Sequence, residues 1–262
     1  MISLLLLGLY LVMFGVLVMI LSASMRMCRK AVGGRENMLL NAHSLFINFF
    51  IPGQGGPFYR GTYLYKKYKL KIRTYIIVTL LYYAFYAVIS VFLVLLDTRP
   101  WWQTALVVLA TAGFSLFVIR RYLRKHHAKL DELGLNLGYR AVAYLFLATL
   151  LQAVLQLIIY AIELHTVNKH IVLSQVVTYT GVANLALFVA LTPGAIGIRE
   201  SFLIFSERLH HISSANIIVA NVIDHSVYLI FLLLLLIVTV TIHLKWKKYL
   251  SRLPFIRAYF KV

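Results

Sequence analysis

The chain of 262 residues is 61% hydrophobic and only 13% charged, with a mean hydropathy of +0.85, whereas a water-soluble domain is about half apolar and about one quarter charged. Several apolar runs reach the roughly 20 residues that cross a bilayer, and the connections between them are short, which excludes a soluble fold and a separate catalytic domain. The formal charge of +18, from 26 Lys+Arg against 8 Asp+Glu, marks a cytoplasmic side and anionic head groups in such a chain, and nucleic acid is not expected as a partner.

The first apolar run is Ile2–Ala23. Ser22-Ala23-Ser24 loosely resembles a signal-peptidase site, but no Lys or Arg precedes the run, and Arg26, Arg29, Lys30 and Arg35 follow it. That charge order is the reverse of a signal peptide and predicts a retained helix with its C-terminal end in the cytoplasm. Asn37–Ile51 is apolar but interrupted by Asn41, His43 and Asn48, and is too short for a comfortable span. It ends in Pro52-Gly53-Gln54-Gly55-Gly56-Pro57, which cannot continue a helix. A basic helical segment, Arg60–Arg73, follows, so the pattern predicts a re-entrant pair. Spans are expected at Tyr75–Leu96 and Trp101–Ile119, with Trp101-Trp102 as an interfacial anchor. The basic loop Arg120–Lys129 leads to a span near Gly138–Ile162. Ile171–Leu191 is apolar but carries Gln175, Thr178, Thr180 and Asn184, and stops at Pro193-Gly194-Ala195-Ile196-Gly197-Ile198-Arg199-Glu200. A short segment Ser201–His211, a long run Ala215–Leu244 and a basic tail from Lys245 complete the chain.

Placing Arg26–Arg35, Arg60–Arg73, Arg120–Arg140 and the tail on one side gathers 22 of the 26 basic residues there. The positive-inside rule makes that side cytoplasmic, with the N-terminus outside and the C-terminus inside. The first broken pair then enters from the cytoplasm and the second from outside. Both breaks read Pro-Gly-x-x-Gly, at Pro52, Gly53, Gly56 and at Pro193, Gly194, Gly197, offset by 141 residues, with Arg60 and Arg199 a few residues later. The same offset carries the first span close to Gly138–Ile162, and Tyr75–Leu96 into the last span. The expected fold is therefore all-α: about five full transmembrane helices plus two oppositely oriented re-entrant broken helix pairs. It is one membrane domain with an inverted repeat: copies at about 1–97 and 138–244, a connector at about 98–137 and a basic tail at 245–262. Such architecture is a transporter signature, because the free backbone ends of a broken helix need a polar cavity and can hold a charged group.

Arg199 and Glu200 follow a break placed inside the membrane, where ionisable groups are expensive. They either bind an anionic group such as a lipid phosphate or form a structural ion pair and helix cap. Asp224 and His225 lie in the first third of the last span and read as a proton relay or cavity-lining pair reaching Arg199, or as hydrated groups near the outer interface. Arg60 belongs to the candidate substrate site or faces head groups. Lys66, Lys67, Lys69, Lys71 and Arg73 read as a surface facing anionic lipid. Asn184, Asn216 and Asn221 read as helix-packing residues. The His pairs lack zinc spacing, the single Cys28 permits no internal disulfide, and nucleotide-loop and nucleophile motifs are missing, so no metal, no cofactor and no enzymatic activity are expected.

The stretch Pro193 to Glu200 resembles the P-G-G-x-G-x-R-E motif of the lysylphosphatidylglycerol synthase transmembrane-region family, and Pro52, Gly56 and Arg60 resemble its P-x-x-x-G-E-x-x-R motif. The resemblance runs over nearly the whole chain in order and spacing. Pro57 stands where the first motif has Glu, and Ala195 replaces the second Gly of P-G-G. The resemblance implies a stand-alone member without a synthase domain, resident in a prokaryotic cytoplasmic membrane and acting as a flippase for an anionic or aminoacylated phospholipid. Membrane lipids are the expected partners, with a lipid-modifying enzyme as a further one. The alternatives are a secondary transporter of a small anion, a non-catalytic membrane partner of a glycosyltransferase or lipid-modifying enzyme, and a membrane transferase built on Asp224-His225.

Overall fold

A computed structural model describes residues 2–51, 55–98, 134–189 and 192–250, together with Pro100, Trp102, Gln103 and Arg121. Pro52 and Gly53 of the first break, nearly all of the connector and the basic loop after it, and the tail beyond residue 250 lie outside the described residues. Among the described residues all regular structure is helical. Helix α1 is Ile2–Met27, α2 is Gly34–Phe50, α3 is Gly55–Tyr68 and α4 is Ile72–Thr98. Helix α5 is Tyr139–Val167, α6 is Leu173–Ala186, α7 is Ile198–Phe205, α8 is Glu207–His210 and α9 is Ser214–Leu250. Short 3-10 turns at Leu187–Val189 and Pro193–Ala195 bridge α6 to α7.

Helices α1, α4, α5 and α9 are long and apolar enough to cross a membrane. At 1.5 Å per residue, α1 is about 39 Å long, against a hydrocarbon core of about 30 Å. Leu4, Leu11, Leu80, Val222 and Ile237 leave their side chains exposed on these helices, as a lipid-facing surface requires. Helices α2, α3 and α6 are about 21 to 26 Å long, too short to span. The chain is a multi-pass, all-α membrane protein.

Two helix limits depart from the sequence reading. The basic segment Arg60–Arg73 is not one helix: Lys69 takes a left-handed backbone (φ 52°), α3 ends at Tyr68, and Arg73 belongs to α4. The run Ile171–Leu191 is helical only to Ala186, then tightens into a 3-10 turn.

The short helices form two hairpins that open at opposite ends of the bundle. At the basic end the Asn136 amide donates to the Met27 carbonyl (2.7 Å), and the Arg26 guanidinium lies 5.7 Å from the Tyr144 ring centre. The C-terminus of α1 therefore meets the N-terminus of α5. The first hairpin is latched at this same end. Glu36, at the start of α2, accepts hydrogen bonds from Tyr63 and Tyr68 (both 2.8 Å) and pairs with Lys67 at 2.8 Å. The second hairpin is tied at the far end, where Gln175 Nε2 donates to the His211 carbonyl (2.9 Å). The tips meet in the interior, where the Phe49 ring packs against Gly194. A β-carbon on Gly194 would lie 3.1 Å from that ring, and its φ of 61° suits glycine.

Shifting α1–α4 by 141 residues lands on α5, α6, the α7–α8 pair and α9 in order. The two sets are interlocked. Helix α4 packs along α6, and α9 packs along α2, so the closing helix of each set leans on the first hairpin arm of the other. Gly181 makes the first of these contacts close: a β-carbon there would sit 2.6 Å from the Ser90 carbonyl oxygen and 2.8 Å from the Val94 amide.

Two outcomes follow. Gly181→Val is expected to separate α4 from α6 and cost about 1–3 kcal/mol, read as a lower unfolding temperature in detergent; an unchanged temperature would show that this contact is not close-packed. The second concerns the latch, which lies outside the apolar spans. Burial works against the Glu36 charge, but hydrogen bonds from Lys67, Tyr63 and Tyr68 outweigh it and hold the carboxyl below its ordinary range. A lowered carboxyl stabilises the fold above its unfolded-state value, and that contribution is lost as pH falls through the folded-state value. Hydrogen-exchange protection at the start of α2 and the end of α3 is expected to drop below the usual Glu range, and Glu36→Gln is expected to remove that step.

Candidate functional site

A cavity of about 280 Å³ lies between the hairpin tips, bordered by both breaks and by α1, α4, α5 and α9. Its wall is mixed. Tyr82, Tyr83, Tyr86 and Phe188 form an aromatic side, and Asn41, Asn48, Gln152 and Gln156 supply amides. Arg60 reaches it from the first hairpin and Arg199 from the second.

Arg199 is the second residue of α7. The chain arrives there through Gly194 and Ala195, both at positive φ (61° and 58°), and Gly197 at φ 84°. This run turns the backbone sharply enough to start a helix inside the bundle. The free end is capped by Glu200, whose carboxylate accepts the Gly197 amide at 2.6 Å. Arg199 lies deep in the interior and only 6% of it is exposed. Its guanidinium pairs with Asp224 and donates to the Asn221 side-chain oxygen. It also reaches the Tyr160 hydroxyl at 3.4 Å and lies 5.9 Å from that ring centre.

The partners are themselves held. Asp224 accepts a hydrogen bond from Tyr10 of α1, and Asn221 Nδ2 donates to the Tyr179 hydroxyl of α6 at 3.2 Å. His225 Nε2 lies 2.7 Å from Glu200, so that nitrogen carries the proton and donates it to the carboxylate. The 3.5 Å approach of Arg199 to the same nitrogen is then a contact between two donors, not a hydrogen bond. One arginine thus ties together α1, α5, α6, α7 and α9. A buried charge of this kind needs a partner of opposite sign, and Asp224 supplies it.

Arg60 is held more loosely. Its guanidinium donates to Asn41 at 3.2 Å, Asn41 donates to the Asn37 side chain at 2.8 Å, and Asn37 donates to Ser22 of α1 at 2.7 Å. Tyr82 and Tyr83 lie close enough to feel its charge. Among the described side chains, the Nε donors of Arg60 and Arg199 are both buried and without a hydrogen-bond partner. Gly56 supports Arg60 indirectly: a β-carbon there would lie 2.4 Å from the Ser44 carbonyl oxygen, so the residue keeps α2 and α3 in backbone contact.

The structure brings Arg60, Arg199, Asp224 and His225 to one cavity and sets Glu200 against His225 at its edge. It leaves Lys66, Lys67, Lys69, Lys71 and Arg73 exposed at the basic end, apart from the cavity. Asn221, read from sequence as a packing residue, holds Arg199. Asn184 is fully buried in α6, and neither of its side-chain polar atoms has a partner among the described residues. Sequence reasoning passed over Tyr10, Tyr160, Tyr179 and Glu163. Glu163 is 1% exposed and lies within hydrogen-bonding reach of Asp224. Its signal was present: Gln152, Gln156, Tyr160 and Glu163 recur at helical spacing on one face of an otherwise apolar span.

The chain belongs to the lysylphosphatidylglycerol synthase transmembrane-region family: the model of that family matches residues 1–235. No curated protein and no solved structure matches it. Membership associates this membrane domain with the handling of lipid related to lysylphosphatidylglycerol.

The ion pair yields a stability test. Asp224→Asn removes the counter-charge in direct contact with the buried Arg199 guanidinium, leaving Glu200 at 4.0 Å from its Nε, and is expected to cost about 3–5 kcal/mol. The double variant Arg199→Met/Asp224→Leu removes both charges and is expected to recover most of that loss, measured by denaturant unfolding in detergent. Additive losses would mean that the two groups are hydrated and independent.

Proposed function

We propose that this protein is a lipid translocator that carries the head group of an anionic phospholipid across the membrane while the acyl chains stay in the bilayer. One observation carries the reading. A cavity of mixed lining between the two broken helix pairs is bordered by two arginines, Arg60 and Arg199, whose buried Nε donors make no hydrogen bond among the described residues, the Nε of Arg199 lying 4.0 Å from the Glu200 carboxylate. A guanidinium recognises phosphate through several directed N–H donors, and such charge-assisted bonds are roughly twice as strong as neutral ones.

In this scheme Arg60 meets the phosphate near the basic end, which the positive-inside rule assigns to the cytoplasm. Arg199 takes it over from the other hairpin, with the phosphate replacing Asp224 as counter-charge. The amides and the aromatic side of the cavity receive the rest of the head group and keep lipid tails away from the broken backbone. The two interlocked sets, acting as oppositely oriented re-entrant repeats, rock about the cavity to open it alternately. Family membership agrees with a lipid cargo.

The test is flipping of labelled phosphatidylglycerol, with and without aminoacylation, in reconstituted vesicles. Arg60→Gln and Arg199→Gln are each expected to slow flipping roughly tenfold to hundredfold, the loss of one charge-assisted hydrogen bond or more. Arg199→Gln/Asp224→Asn serves as the charge-balanced control for folding. Flipping by the wild type that neither variant slows would remove the arginines from the path. No flipping of any phospholipid by folded protein would reject the translocator and favour a role in docking a lipid-modifying enzyme on the exposed basic surface.

A further inference from the structure

Glu163 is a buried acidic group that the translocation scheme leaves unused. It sits in α5, 1% exposed, with one carboxyl oxygen lacking a partner among the described residues. The groups that interact with it come from several helices. Tyr10 comes from α1, Tyr179 from α6, Arg199 from α7 and Asp224 from α9, with Tyr160 on α5 itself. The charge balance is uneven. Glu200 is met by the His225 N–H and by the Gly197 amide. The guanidinium of Arg199 has Asp224 in direct contact, Glu200 at 4.0 Å from its Nε, and Glu163 behind Asp224.

Two carboxyls within hydrogen-bonding reach, both largely buried, cannot both carry charge beside one another without a large repulsion. A proton between them removes the repulsion, as in other carboxylate pairs that titrate as a unit. We propose that Glu163 and Asp224 form a proton-binding site behind Arg199, and that the proton on this pair governs whether Arg199 is free to take an anion from the cavity. With the proton present, the pair bears one negative charge and Glu200 stays engaged by His225 and the Gly197 amide, so an incoming phosphate can displace Asp224 from Arg199. With the proton lost, two negative charges hold the guanidinium and repel a third. Proton and anion then bind together, and linkage makes the effect reciprocal: a bound phosphate holds the proton on the pair. The step is balanced, since one proton enters from solvent with one anion and leaves with it. Glu163 is a positioning residue here, acting on the anion only through Asp224 and Arg199.

This inference rests on Arg199 as the phosphate-binding group, so its test has two separate readouts. The first needs no ligand. Infrared spectra of the full chain in nanodiscs at neutral pH are expected to show a protonated-carboxyl band that Glu163→Gln removes. Absence of any Glu163-dependent band overturns the proposal whether or not the protein binds lipid. The second is binding of short-chain phosphatidylglycerol across pH. The wild-type affinity is expected to fall about tenfold per pH unit once the pair loses its proton. In Glu163→Gln, where a neutral side chain replaces the protonated one, the affinity is expected to stay flat over the same range. Equal pH profiles in the two proteins, or loss of binding by folded Glu163→Gln, overturns the coupling. Failure of the wild type to bind phosphate at any pH, with the infrared band present, would instead reject the phosphate reading and keep the proton site.

Discussion

A helix broken inside hydrocarbon has backbone groups that lipid cannot satisfy, and this one constraint organises the rest of the structure. The described residues beside the two breaks meet each other, with Phe49 against Gly194 as the point of contact. The long helices then have one role in common: α1, α4, α5 and α9 wall off the place where the tips meet. A cavity is the by-product, because two turns built from glycine and proline cannot fill space as packed helices do.

The same constraint explains why an arginine sits so deep. A helix that begins in the interior exposes amide donors, and Glu200 caps them while Arg199 on the next turn-face points into the bundle. Asp224 and Asn221 lie three residues apart on α9 and present an anionic and a neutral acceptor to the same guanidinium. Tyr10 and Tyr179 fix those acceptors from α1 and α6. The network holds five helices through one side chain. The Nε of Arg199 makes no hydrogen bond among the described residues and lies 4.0 Å from Glu200, while the residue as a whole borders the cavity.

Much of this was legible beforehand because its causes are local. Pro-Gly-x-x-Gly cannot continue a helix, and a run of 15 residues cannot span, so the breaks followed from chain chemistry alone. Charge order along the chain separated the basic end from the other, and the spacing of Arg199, Asp224 and His225 hinted at a shared site. What escaped was set by tertiary contact. Lys69 ends α3 through a backbone turn that no residue preference announces. Asn221 looked like one packing amide among three until α9 was placed beside α7. Tyr10 was hidden in an apolar run, because a tyrosine in a membrane span reads as an interfacial ring unless its hydroxyl has a known destination. Glu163 was the real omission, for it closes the polar row Gln152, Gln156 and Tyr160 on one face of α5, and its position relative to Asp224 is set only by tertiary packing.

The exchange of supports between the two halves bears on how the chain is made. The first hairpin leans on α9, which begins at Ser214, some 160 residues after α2 has been completed. At about 5–20 residues per second, synthesis of that interval takes roughly 10 to 30 seconds. Through this time a short helix carrying Asn37, Asn41 and Asn48 lacks its final neighbour. Its latch to the basic end, by Glu36, Tyr63, Tyr68 and Lys67, is built only from residues emerging within the same stretch of chain. A local clasp of that kind lets the hairpin hold its shape beside the translocation machinery until the last helix arrives to cover it.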